Sequence, residues 1–311
     1  MSLPRTGGHR GYGEPVQRAE DRLTLAAFAA TAFLAGGNAV GIRFSNRELD
    51  PLWGASLRFG TASLVLLAVM AVMRLRFPRG KALAGAALFG LLDFGVPFAL
   101  AYYALVHVHA GLAQTVLALT PLVTLLLAVA QRLERFRVTA AVGTVLAAAG
   151  VAVIFRVPLS GSVPLFSFLA ILGSTFCFAQ AAVLVRRLPE VHPVTMNAVG
   201  MTTASVLLLA GSAAAGDVWR LPHRPATWWA LAYLVVVGSV LLFVLYLFVL
   251  HRWDASRAAY VFVIVPVITI VLSAWLDDEP LTSSLLLGTP LILAGVYVGA
   301  LWRRPRDRDA S

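Results

Sequence analysis

Two charged side chains lie deep inside long apolar runs of this 311-residue chain: Arg58, in "WGASLRFGTASLV", and Asp93, in "LFGLLDFGVPFALAYY". A charge at the centre of a bilayer costs on the order of 3 kcal/mol on insertion scales, so such residues persist for function or as compensated pairs. At helical spacing Asp93 shares a face with Ala86, Gly90, Pro97, Ala101 and Ala104, while Leu88, Leu91, Phe98, Tyr102 and Leu105 fall opposite. Arg58 shares its face with Gly54, Ala55, Thr61 and Ala62. Both faces are built from small side chains that leave room for a solute. Two readings follow: a substrate- or proton-binding role for at least one of the two, or a buried structural ion pair between them.

Neutral polar groups form a second tier. Asn38, Gln114 and Gln180, each inside an apolar run, can donate and accept, which suits an amide, carboxyl or amino group on a small solute. Hydrogen bonding between helices is the alternative for each. His107 and His109, in "HVHAG", are two histidines without further ligands and read as interfacial residues, not a metal site. A single cysteine, Cys177, excludes a disulfide framework and a cysteine-ligated metal site. No cofactor is expected.

The elements that must position these residues follow from composition. The chain is 59% hydrophobic and 13% charged, with a mean hydropathy of +0.82, so a soluble surface cannot be built from it. A helix spanning the bilayer needs about 20 apolar residues. Ten such runs are present, at 24–42, 51–73, 83–105, 110–131, 138–155, 164–186, 194–215, 227–250, 255–276 and 283–302. The first is long enough to span and no small-residue cleavage pattern follows it, so it is not read as a cleaved signal peptide. The net charge of +10 is spread in short arginine clusters between the runs, which speaks for topology and against nucleic-acid binding. With the N-terminus inside, cytoplasmic segments hold 19 Lys and Arg residues and external ones 5. By the positive-inside bias both termini are cytoplasmic. Trp228 and Trp229 read as an interfacial aromatic belt.

The chain also repeats itself. An offset of 145 residues lays "VPVITIVLSAWLDDEPL" (265–281) over "TPLVTLLLAVAQRLERF" (120–136), matching Pro121 with Pro266, Thr124 with Thr269 and Glu134 with Glu279. The same offset matches Gly143 with Gly288 and Gly150 with Gly295. With five runs per half, the second copy must cross the membrane the other way up, the inverted repeat of many secondary transporters. Pro121 and Pro266 are candidate bending points, as static kinks or moving hinges. The glycines permit close helix approach. Glu134 and Glu279 are expected at membrane edges, in capping or snorkelling roles.

At these residues the chain resembles the EamA-type family of the drug/metabolite transporter superfamily, from about residue 24 to 302. The resemblance rests on the Pro121 and Pro266 runs ending in Glu134 and Glu279, the repeated glycines, and "SLRFG" around Arg58. One departure is "LAGGNAV" in the first run, which lacks the tryptophan associated with the family's first helix. The expectation is an all-α integral membrane protein with ten transmembrane helices as two inverted five-helix repeats, 24–156 and 164–302. Cytoplasmic tails, 1–23 and 303–311, flank them. Its expected work is secondary transport of a small metabolite across the plasma membrane by alternating access, with the bilayer and a small solute as partners and a homodimer left open. An integral-membrane enzyme is the rival, but no H-E-x-x-H, no G-x-S-x-G and no long loop supports it. A non-transporting scaffold or receptor is a second rival.

Overall fold

The computed structural model describes residues 14–133, 138–156, 164–252 and 261–301. Glu134, and the tails before and after these limits, lie outside the described residues. No strand occurs among the described residues. In chain order the helices are α1 (Arg22–Asn46), α2 (Pro51–Val72), α3 (Lys81–His107), α4 (Ala110–Ala130), α5 (Val138–Arg156), α6 (Leu165–Val185), α7 (Pro193–Ala215), α8 (Pro225–Val249), α9 (Val261–Leu276) and α10 (Ser283–Gly299). Among the described residues, seven are long and apolar enough to cross a membrane, and α5, α9 and α10 contribute shorter apolar stretches. The helical path into α1 begins at Glu14, earlier than hydropathy implies. The polar segment ahead of the apolar run is rich in good helix formers and carries Pro15 in its first turn.

Large apolar side chains such as Phe33, Leu64, Phe166 and Trp275 stand on the outer surface, while Ser, Thr and Asn side chains are buried. That is the reverse of a water-soluble domain and is what a lipid solvent demands. Trp228 and Trp229 are exposed at the start of α8. Inside the bundle, α2 runs along α7 and α5 along α10, while α1 packs on α8 and α9, α3 on α6, and α4 on α6 and α9. Small residues allow these approaches. A methyl group at Gly90 would strike the backbone of Gly200, so only glycine lets α3 and α7 lie this close.

Among the described residues three helices depart from α geometry. A π turn interrupts α3 at Leu91–Gly95, a longer π segment occupies Tyr233–Leu241 of α8, and the last turn of α10 continues as a π segment, Tyr297–Leu301. An extra residue in a turn rotates everything beyond it, and π segments free carbonyls for other partners. Both consequences shape the site.

Candidate functional site

A cavity of about 130 Å³ lies within the bundle, lined from α1, α3 and α4 and from α6, α8 and α9. At one end are Ile42, Leu105 and Ala113; at the other are Thr31, Thr124, Val185 and Val261. Asp93 lines it and is the only charged side chain to do so among the described residues. It is 8% exposed and makes no hydrogen bond or ion pair with the described residues. The π turn around it corrects the face expected from sequence. Upstream, Phe89 joins it at the usual four-residue spacing, but downstream the lining residues are Phe98, Ala101 and Leu105. The inserted residue carries Phe98 and Leu105, expected on the far side, round to the cavity. Pro97 is not among the lining residues, and its carbonyl accepts from Ser174 Oγ of α6 at 2.5 Å.

Arg58 does not pair with Asp93. It is fully buried and donates from Nε to Ser239 Oγ (2.8 Å) and from Nη2 to Asn38 Oδ1 (3.0 Å) and the Gly238 carbonyl (2.8 Å). Its guanidinium lies over the rings of Phe59 and Phe98, at 4.9 and 4.7 Å from their centroids. Acceptors and ring faces thus take the place of a carboxylate. The π segment of α8 makes this possible. Ser239 Oγ donates back to the Leu234 carbonyl at 2.8 Å, leaving the Gly238 carbonyl to serve both Arg58 and Asn38 Nδ2 (3.3 Å). Gly238 must be glycine, because a methyl there would collide with the Asn38 amide oxygen.

Of the neutral candidates, Asn38 and Gln114 line the cavity and Gln180 does not. The lining face of α6 runs through Ile171, Ser174, Phe178, Ala182 and Val185, and Gln180 lies off it, accepting from Gln131 Nε2 at 2.9 Å. The two prolines also differ. Pro121 lines the cavity where α4 breaks between Leu117 and Thr120. Its missing N–H frees the Leu117 carbonyl, which Thr120 Oγ1 satisfies at 2.5 Å. Pro266 is buried within continuous helix and does not line the cavity.

Beyond Ile42, the end of the bundle is tied by charges. Arg43 Nε contacts Asp277 Oδ2 (2.7 Å) and Glu279 Oε1 (3.0 Å), its Nη1 donates to the Val108 carbonyl (2.9 Å), and Arg47 also pairs with Asp277. Glu279 accepts from the backbone N–H groups of Ala110 (2.7 Å) and Gly111 (3.3 Å), capping the start of α4, with His109 Nδ1 at 3.5 Å. Burial pushes the Glu279 carboxyl up, but His109, the Ala110 N–H and the Arg43 charge outweigh it and hold it below the usual carboxylate range. Asp278 takes a left-handed φ of 49°, a turn that returns both of its acidic neighbours to the cluster. Nearby, Glu48 accepts from the N–H groups of His223 (2.5 Å) and Arg224 (3.3 Å) and Asp50 from Val218 (2.8 Å), docking the α1–α2 loop on the α7–α8 loop.

Sequence reasoning missed the cavity aromatics, although a signal was present. The 145-residue offset that relates the prolines also relates Phe98 to Phe243, whose rings meet edge-on at 6.4 Å between centroids.

The model of the EamA-like transporter family matches the chain twice, at residues 22–156 and 165–300. This chain belongs to the EamA-like transporter family. It is 26% identical over 263 residues to an uncharacterized transporter of Archaeoglobus fulgidus, covering 83% of this chain and 91% of that one. It is 27% identical over 294 residues to a probable amino-acid metabolite efflux pump of Escherichia coli, covering 86% and 93%. A crystal structure with 18% identity superposes with a TM-score of 0.66 over 90% of this chain and 97% of the other, which shows a shared fold. The chain is thus a multi-pass membrane protein of a drug/metabolite transporter family.

Proposed function

We propose that this family member is a secondary transporter, without an enzymatic step, that moves a small metabolite such as an amino acid or a drug-like solute across the plasma membrane. Ten spans form two inverted halves, 24–156 and 164–302, that rock about the central cavity, with both termini cytoplasmic. One observation carries the reading: the cavity walls come from α1, α3 and α4 and from α6, α8 and α9, the helices that the 145-residue offset relates pairwise. A solute site at the interface of two repeats is the arrangement alternating access requires. The charge cluster at Arg43, Asp277 and Glu279 supports a state closed on that side. The efflux-pump name of the E. coli relative supports an exporter over an importer.

Two measurements test this. Single cysteines replacing Arg132 and Asp278, in a Cys177→Ala background, are expected to react differently with an impermeant thiol reagent on intact cells. Asp278→Cys should label and Arg132→Cys should not; equal labelling refutes the inverted halves. Proteoliposomes loaded with a panel of amino acids and drug-like solutes are expected to release at least one of them faster than protein-free vesicles. No release points to a scaffold or receptor, and a chemically altered solute to an enzyme.

A further inference from the structure

Asp93 is a carboxylate on a cavity wall with no cation to meet it among the described residues. Around it the same wall carries six aromatic rings: Phe89, Phe98, Phe178, Phe243, Tyr246 and Phe262. Phe98 packs edge-on to Phe178 and Phe243, at 5.7 and 6.4 Å between centroids, and Tyr246 edge-on to Phe262 at 6.2 Å. Ring faces carry negative potential, so a carboxylate among rings forms a site for a desolvated cation. Among the described residues no basic group lines this wall. Arg58 does not line the cavity; its Nε and Nη2 are spent on Ser239, Asn38 and Gly238, and its guanidinium plane faces the Phe98 ring.

We propose that the cavity binds an aromatic or otherwise apolar monocation, an amine or quaternary ammonium whose charge rests on Asp93, and that it discriminates against zwitterions and anions. This rests on the reading of the cavity as the transporter's solute site and narrows its solute from the amino acids and drug-like solutes considered above to drug-like cations. A solute carboxylate would leave water without gaining a cationic partner at the wall, and the Asn38 amide that lines it is already engaged with Arg58 and Gly238. An apolar ammonium instead exchanges its hydration for a carboxylate without a cationic partner among the described residues and for cavity rings of which only Phe98 already meets a cation, Arg58. Discrimination thus comes from an unpaired group on the wrong ligand as much as from attraction to the right one.

Phenethylamine, its N,N,N-trimethyl derivative, phenylalanine and 3-phenylpropionate share one ring and differ in charge. Titrated calorimetrically into the purified full-length protein in detergent at pH 7.5, the two cations are expected to bind within threefold of each other. Phenylalanine, which adds one carboxylate to phenethylamine, should bind at least tenfold more weakly, and 3-phenylpropionate not measurably. Asp93→Asn is expected to weaken both cations at least tenfold, and Asp93→Glu to keep them within a few-fold, with melting temperatures of both variants showing folded protein. Phenylalanine binding as tightly as phenethylamine overturns the proposal. So does undiminished cation binding by Asp93→Asn, or the absence of binding by either cation. If the cations bind as expected but are not moved across proteoliposomes, the transport reading fails while the cation site stands.

Discussion

Glu279→Gln isolates what the charge cluster contributes. The amide keeps the shape and one acceptor for the start of α4, but removes the charge that faces Arg43 at 3.0 Å and His109 at 3.5 Å. Arg43 is not stranded, because Asp277 remains 2.7 Å from its Nε. Hydrogen bonds to charged groups are worth about 1.5–3 kcal/mol each and a helix cap about 1 kcal/mol, part of which the amide retains, so the loss comes to roughly 2 kcal/mol. At roughly 2–4 °C per kcal/mol for a chain of this order of size, the variant should melt about 4–8 °C below the parent. The pH dependence has a definite sign. A carboxyl held below its ordinary range stabilises fully above its unfolded pKa, and that contribution is lost as pH falls through the lower folded value. Melting of both proteins in detergent should thus show the full gap at pH 7.5 and a shrinking gap below about pH 4.3, the ordinary glutamate value. A gap under 1 °C at pH 7.5, or one that persists unchanged into strong acid, refutes the role assigned to Glu279.

Asp93→Asn should melt at or above the parent, since it strands no partner, and calorimetry or circular dichroism in detergent reads this directly. Arg58→Gln, which removes the donors to the Asn38 and Ser239 side-chain oxygens and one of the two donors to the Gly238 carbonyl, should cost about 3–5 kcal/mol. The double variant should show no rescue, with a coupling below about 0.5 kcal/mol; recovery of stability in it would mean that the two charges pair after all. Gly90→Ala should cost about 1–3 kcal/mol by forcing α3 off Gly200, and unchanged melting would contradict that contact. Thr120→Val should cost about 1–2 kcal/mol by leaving the Leu117 carbonyl at the Pro121 break without its donor, while Thr120→Ser should be close to neutral.

Hydropathy alone located the apolar runs, and among the described residues seven of them are helices long enough to span, because a lipid solvent forces every backbone group into local pairing and leaves a one-dimensional signal. The same sequence marked Arg58 and Asp93 by their cost, Pro121 and Pro266 by their repetition, and Glu279 as a residue of a helix end. Which groups meet was decided elsewhere. Asp93 was assigned neighbours by a 3.6-residue period, but the π turn at Leu91–Gly95 moved that face by one residue and brought Phe98 and Leu105 to the cavity. Arg58 found acceptors on α8 some 180 residues away, and Glu279 found its N–H donors 168 and 169 residues away, across helix contacts that no local pattern encodes. Gln180, as polar as Gln114 and equally apolar in its surroundings, was turned from the cavity to Gln131 by the packing of α6. Solvent chemistry acts on each segment separately and can be read from the chain. The partner of a buried polar group depends on where two helices cross and how each is rotated, and only the assembled bundle sets that.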